Sequence, residues 1–113
     1  MKSESSILDP QKSMKQIKFT SVNTSGSLNI LGEIIKNHGI EISAQDIVRT
    51  MSKYLSNFTD LQKNVFKAYF LRQSSIFDIY EMYEFDLVQS AERLLSTTIL
   101  EYIELLKNDY KTK

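Results

Sequence analysis

Apolar residues between positions 27 and 106 recur at steps of three and four, the repeat that brings side chains to one face of an α-helix. The first such stretch runs from about Ser27 to His38. It ends at Gly39, because glycine readily takes the left-handed conformation found at many helix ends. The second stretch begins at Ser43, where a hydroxyl followed three residues later by Asp46 is typical of a helix N-terminus.

The second and third predicted helices each carry an apolar stripe and an exposed polar side. The stripe of the second helix comprises Ala44, Ile47, Val48, Met51, Tyr54, Leu55 and Phe58. The third helix begins at Thr59, with Gln62 as its capping partner. Its exposed basic side chains, Lys63, Lys67 and Arg72, are suited to contacts with phosphates, although a solvated face has the same composition.

The fourth and fifth predicted helices are joined by a short turn at Phe85-Asp86. The fourth runs from about Ser75 to Glu84 and is apolar almost all the way round, which indicates burial or a bound partner. Asp86 is expected to cap the fifth helix, with Gln89 as its reciprocal partner, and this helix extends from Leu87 to about Tyr110. Its apolar seam repeats every 3.5 residues or so, which predicts an end that projects or pairs with a second copy.

These elements predict an all-α protein of about five helices, with a helix-turn-helix-like C-terminal half and a long last helix. We expect a single helical domain over residues 27–113, preceded by a flexible basic tail over residues 1–26. The alternation of apolar and polar residues over 17–22 leaves open a short strand there.

Composition excludes several classes of function and leaves regulation or binding. Of the 113 residues none is Cys, the three Gly stand apart, and His38 is the only histidine, so no catalytic constellation, cofactor or metal site is predicted. No apolar run is long enough for a membrane span, and no secretory signal is recognisable, so we expect a cytoplasmic protein that does not bind membranes. The net charge is zero, but residues 74–106 carry seven acids against Arg93 alone.

The chain from Phe58 to Leu106 resembles the fourth conserved region of bacterial sigma factors and the small phage and mobile-element regulators similar to it. The matching positions are Leu61, Gln62, Val65, Phe66, Tyr69, Ser75, Ile79, Glu81, Phe85, Asp86, Arg93, Leu94, Ile99 and Leu106. The resemblance implies a transcription regulator with RNA polymerase or another regulator as its partner. If DNA is bound, Gln89, Ser90 and Arg93 would contact base edges or phosphates, and Lys63, Lys67 and Arg72 would contact the backbone.

The same stretch departs from the family at positions that matter for DNA. Tyr80 stands where the family has a small residue facing the turn, and Glu84 stands where it has glycine. The predicted recognition helix is acidic, which disfavours contact with phosphates.

Two other readings of this stretch stay open. In one, an acidic, tyrosine-rich helical face binds a partner protein without DNA, through Phe77, Tyr80, Glu81, Tyr83 and Glu84. In the other, these aromatic residues fill the core and the last helix forms a homodimer.

Overall fold

Five α-helices account for most of the chain that the computed structural model describes, residues 17–110. They are α1 (Leu28–Asn37), α2 (Ala44–Leu55), α3 (Asp60–Phe70), α4 (Ile76–Met82) and α5 (Val88–Tyr110). The described residues contain no strand, and the alternation over 17–22 produces none; a single antiparallel bridge joins Ser25 to Ser75. The predicted all-α fold with a long last helix is therefore confirmed.

Side-chain caps fix where α3 and α4 begin. The Thr59 hydroxyl accepts from the Gln62 backbone N–H at 3.1 Å, and the Gln62 side chain accepts from the Thr59 N–H at 3.1 Å. Ser75 and Asp78 form the same reciprocal pair, at 3.0 and 3.2 Å. Both capping boxes were expected from the spacing, because each satisfies two backbone donors that a helix start leaves free.

The starts of α2 and α5 differ in detail from the expectation. Ser43 caps α2 by accepting from the Asp46 N–H, but the Asp46 carboxylate pairs with Arg49 at 2.5 Å. The expected bond between Asp86 and Gln89 is not among the side-chain hydrogen bonds of residues 17–110. At the start of α5 the Leu87 carbonyl accepts the backbone N–H of the third and fourth residues after it.

The core is arranged around α5, which packs against α2, α3 and α4. The buried seam of α5 comprises Ala91, Leu95, Thr98, Ile99, Tyr102, Ile103 and Leu106, each at most 1% exposed. The apolar seam that suggested a dimer is therefore covered by α2, α3 and α4 of the same chain, and almost none of it is exposed. Nor does the end of α5 project, because Asp109 accepts from the Tyr54 hydroxyl and lies 3.7 Å from the Lys53 amino group.

A buried polar cluster lies between α2 and α5. The Tyr102 hydroxyl is 2.7 Å from the Thr50 hydroxyl and donates to the Ile47 carbonyl at 3.3 Å. Burial of the Tyr102 side chain raises its pKa to about 12, since the charged phenolate is poorly solvated there. Burial also raises the pKa of Tyr69.

Residues 17–26, here called the N-terminal segment, pack against α3 and α4. The Phe19 ring meets the Tyr69 ring edge-on at 5.6 Å, and the Val22 carbonyl accepts the Phe77 N–H at 2.9 Å. Gly26 is buried so tightly that a Cβ would lie 2.2 Å from the Tyr69 carbonyl oxygen. The packed part of the chain therefore begins by Ile17, ahead of the boundary placed at residue 26; the tail predicted for residues 1–16 lies outside the described residues.

Within residues 17–110, no helix combines the length and the apolar character needed to cross a membrane.

Candidate functional site

The helix α4 is anchored in the core by two isoleucines and carries aromatic residues that were predicted to bind a partner. Ile76 and Ile79 are fully buried. The helical repeat turns Phe77 and Glu81 away from that anchor, whereas Tyr80, one turn after Ile76, lies beside it and packs partly against the core. Phe77 is 37% exposed, and its ring lies 5.5 Å from the half-buried Tyr80 ring. An exposed aromatic ring and a half-buried one therefore lie next to each other on a helix that Ile76 and Ile79 fix in the core.

The turn after α4 brings Glu84 to the end of this surface. Glu84 has a φ of +57°, and its N–H donates to the Glu81 carbonyl. Only glycine takes this left-handed conformation freely, so a side chain here costs conformational free energy. Tyr83 is the C-cap residue of α4 and, like Tyr80, packs half-buried against the core; unlike Tyr80, it has no aromatic contact with Phe77. We call Phe77, Tyr80, Glu81 and Glu84 the α4 face.

The α4 face is negatively charged and has no basic neighbour within ion-pair distance in the described chain. Glu81 and Glu84 are both exposed. The four ion pairs within residues 17–110 join Asp46 to Arg49, Asp60 to Lys63, Glu104 to Lys107, and Asp109 to Lys53. None of them involves the carboxylates of the α4 face. The negative charge of Glu81 and Glu84 is therefore not neutralised by these pairs and can attract a positively charged partner.

The six residues predicted for DNA contact do not come together in one groove. Lys63 and Lys67 line a groove between α2 and α3. Gln89 and Arg93 line a second groove, of about 620 Å³, between α5 and the start of the N-terminal segment. Arg72 follows the end of α3 and is exposed.

The outer side of the first turns of α5 has mixed charge. Gln89 and Arg93 are exposed one turn apart, while Ser90 is half-buried. Glu92 lines the same groove as Arg93, and Lys18 of the N-terminal segment lies there too. A phosphate in this groove would meet the Glu92 carboxylate as well as the two basic side chains, which weakens the electrostatic attraction that DNA binding requires.

Metal-ligating side chains are scattered. Within residues 17–110, no group of three or more His, Cys, Asp or Glu is placed to hold a metal ion. The His38 ring contacts the Ile34 carbonyl through Nδ1 at 2.9 Å, which fixes it on its own helix.

The groove between α2 and α3 contains residues that the sequence pattern placed elsewhere. Val48 belongs to the apolar stripe predicted to face the core, yet it is 47% exposed, and so is Leu71 at the end of α3. In the sequence, Ser52 and Ser56 could have indicated this groove. They are small polar residues at helical spacing from Val48, so they leave space beside its side chain.

No family model, curated protein or solved structure matches the chain.

Proposed function

We propose that this chain is a small, non-enzymatic, cytoplasmic regulator whose α4 face binds a basic surface of a partner protein. The observation that carries the proposal is the pair of neighbouring aromatic rings, the exposed Phe77 and the half-buried Tyr80, beside the exposed carboxylates of Glu81 and Glu84. Aromatic side chains supply much of the energy of protein interfaces, because they bury a large area while losing few rotamers.

The charge of the α4 face selects the kind of partner. Carboxylates around an aromatic centre attract Lys- and Arg-rich surfaces and repel acidic ones, so they act mainly on specificity and association rate. Ile76 and Ile79 hold the backbone of α4 in the core, so the face is already formed before a partner arrives. A preformed face loses little conformational entropy on binding.

The proposed process is transcription, and the partner is RNA polymerase or another regulator. This part rests on the resemblance of residues 58–106 to the fourth conserved region of sigma factors. The backbone of Glu84 supports this resemblance in one respect. It is left-handed, and the family has glycine at this position, the residue that adopts a left-handed conformation at the lowest cost.

The second candidate is DNA binding through α5, acting with or without a protein partner. It is favoured by the position of Gln89 and Arg93, which are exposed on the first turns of the helix that follows the turn. The carboxylate of Glu92 and the separation of Lys63 and Lys67 from this site count against it.

The deciding experiment compares matched variants of the full chain. Partners are captured from the source cells with the wild type, with Phe77→Ala/Tyr80→Ala, and with Leu61→Ala as a control for loss of an exposed apolar side chain. We expect a partner with a basic surface that binds the wild type and the control but not the double variant. Binding of the purified partner should then weaken as salt rises.

Circular dichroism checks that the double variant keeps its helices. Equal capture by all three proteins would refute the role of the α4 face. A duplex DNA shift that is lost in Arg93→Ala but kept in Phe77→Ala/Tyr80→Ala would establish the second candidate instead.

A further inference from the structure

The groove between α2 and α3 is a second open apolar site, separate from the α4 face. It encloses about 290 Å³. Met51 and Leu55 form its floor and are almost fully buried. Val48 and Leu71, each 47% exposed, form its two walls. A space of this size between apolar walls accommodates one or two aliphatic side chains.

The rim of this groove is positive. Lys63 and Lys67 lie on α3, and Leu71 is its C-cap residue; the three follow at four-residue steps, so the two lysines lie on the same side of the helix as one apolar wall. None of the residues that line the groove is acidic. The Lys63 amino group lies 3.4 Å from the Asp60 carboxylate, which is 94% exposed. Such an exposed pair is weak and can exchange for a partner's carboxylate.

We propose that this groove binds an acidic amphipathic segment of a partner protein. One or two aliphatic side chains of the segment would lie between Val48 and Leu71, above the buried floor. Carboxylates one helical turn away would meet Lys63 and Lys67. This is the arrangement by which an amphipathic helix enters an apolar groove, with apolar anchors at steps of three and four.

The apolar content of the groove favours a peptide over nucleic acid. Phosphate contacts need positive charge alone and leave Val48 and Leu71 uncovered. A peptide covers the apolar walls and satisfies the lysines together. The inference is independent of the α4 face, because it requires the opposite charge in the partner and involves none of the same residues.

The test uses the full chain, labelled with ¹⁵N, and a synthetic helical peptide with Leu along one face and Glu elsewhere. A matched peptide has Lys in place of each Glu, and a short duplex DNA is the third probe. We expect the acidic peptide to bind and to shift the amide signals of Val48, Ser52 and Lys67. The basic peptide and the DNA should leave these signals unchanged.

Three variants separate the contributions of charge and apolar contact. Lys63→Glu/Lys67→Glu should weaken binding of the acidic peptide by at least about tenfold, because two attractions become repulsions. The control Lys36→Glu/Lys107→Glu makes the same change in net charge at residues that do not line the groove, and it should bind within about twofold of the wild type, since salt screens exposed charges outside the contact. Val48→Ser should also weaken binding, because it removes part of one wall.

Several results would overturn the proposal. They are a lack of binding by the acidic peptide at millimolar concentration, equal binding by the two peptides, and equal losses in the groove and control variants. DNA binding that disappears in Lys63→Glu/Lys67→Glu would assign the groove to nucleic acid instead. Heat-denaturation curves of each variant show whether a loss of binding reflects unfolding.

Discussion

The α4 face and the groove between α2 and α3 are both open apolar surfaces, yet they are supported in different ways. The α4 face lies on a helix of seven residues, which depends on its packing for its existence. The groove is formed by helices of 12 and 11 residues, each begun by a side-chain cap. Their charges are also opposite. The comparison indicates that the α4 face is more sensitive to changes in the core, whereas the groove is more sensitive to changes in surface charge.

The largest expected effect comes from removing the anchor of α4. Ile79→Ala takes three heavy atoms from a fully buried site and should lower the free energy of unfolding by about 3 kcal/mol, because a cavity remains. Chemical denaturation measures this loss. The exposed Val48→Ala is the control and should change stability by less than about 0.5 kcal/mol. If Ile79→Ala and Val48→Ala lost similar free energies of unfolding, the α4 face would not be more sensitive to changes in the core than the groove.

The N-terminal segment offers a second way to disturb α4. Gly26→Ala places a Cβ against the Tyr69 carbonyl and should lower the free energy of unfolding by about 1–3 kcal/mol through overpacking. Hydrogen exchange should then show faster exchange of the Phe77 amide, whose acceptor is the Val22 carbonyl. Gly39→Ala is a useful comparison, since a Cβ there meets no neighbouring atom and only the backbone conformation is strained. Unchanged exchange at Phe77 would mean that the segment does not support α4.

Alkaline pH tests the packing of α2, which forms one side of the groove, against α5. The raised pKa of Tyr102 means that the unfolded chain releases this proton near pH 10 while the folded chain retains it to about pH 12. The stabilising contribution is therefore complete below pH 10 and falls as the pH rises towards 12.

Tyr102→Phe isolates this contribution. It should cost about 1 kcal/mol at neutral pH, because a buried hydrogen-bonded hydroxyl is lost. The difference in melting temperature between wild type and variant should narrow above pH 10. If the difference in melting temperature between wild type and Tyr102→Phe stayed the same from pH 8 to pH 11, the raised pKa of Tyr102 would be contradicted.

The smallest expected effect is a gain in stability. Glu84→Gly relieves a left-handed backbone and should raise the free energy of unfolding by up to about 1 kcal/mol, less the entropy that glycine adds to the unfolded chain. Gln73→Gly is the matched control, because Gln73 has a φ of +61° outside the α4 face. Thermal denaturation should show both gains. Binding at the α4 face should weaken only in Glu84→Gly, through the lost carboxylate.

The helices, the Ser43 cap and two reciprocal capping boxes could be predicted from the sequence because they depend on neighbouring residues. Thr59 with Gln62 and Ser75 with Asp78 each act within one helical turn, so their spacing alone is informative. The apolar seam predicted for α5 is buried in the structure. Its role could not be predicted, because periodicity shows which face is apolar and not whether the chain itself or a second copy covers it.

The candidate surfaces were harder to predict than the helices. The residues of the α4 face are close in sequence, so all four were proposed from the pattern; the pattern did not show that Tyr80 and Tyr83 pack partly on the core. The groove joins Val48 to Leu71 from different helices, and only the tertiary structure brings them together. The packing of the N-terminal segment was missed because its contacts, the Phe19 ring against Tyr69 and the Val22 carbonyl with the Phe77 N–H, join residues about fifty positions apart. A pattern of neighbouring residues does not show which distant helix they meet.

The contact between the N-terminal segment and α4 has a consequence for the order of folding. It joins Val22 to Phe77 and Gly26 to Ser74, pairs separated by about fifty residues, so the entropy of closing a long loop opposes its formation. During synthesis the segment leaves the ribosome well before α4 exists. The apolar side chains of the N-terminal segment stay uncovered until α3 and α4 have been synthesised. Completion of α4 is therefore expected to be a late event, after the local helices α2 and α3 have formed.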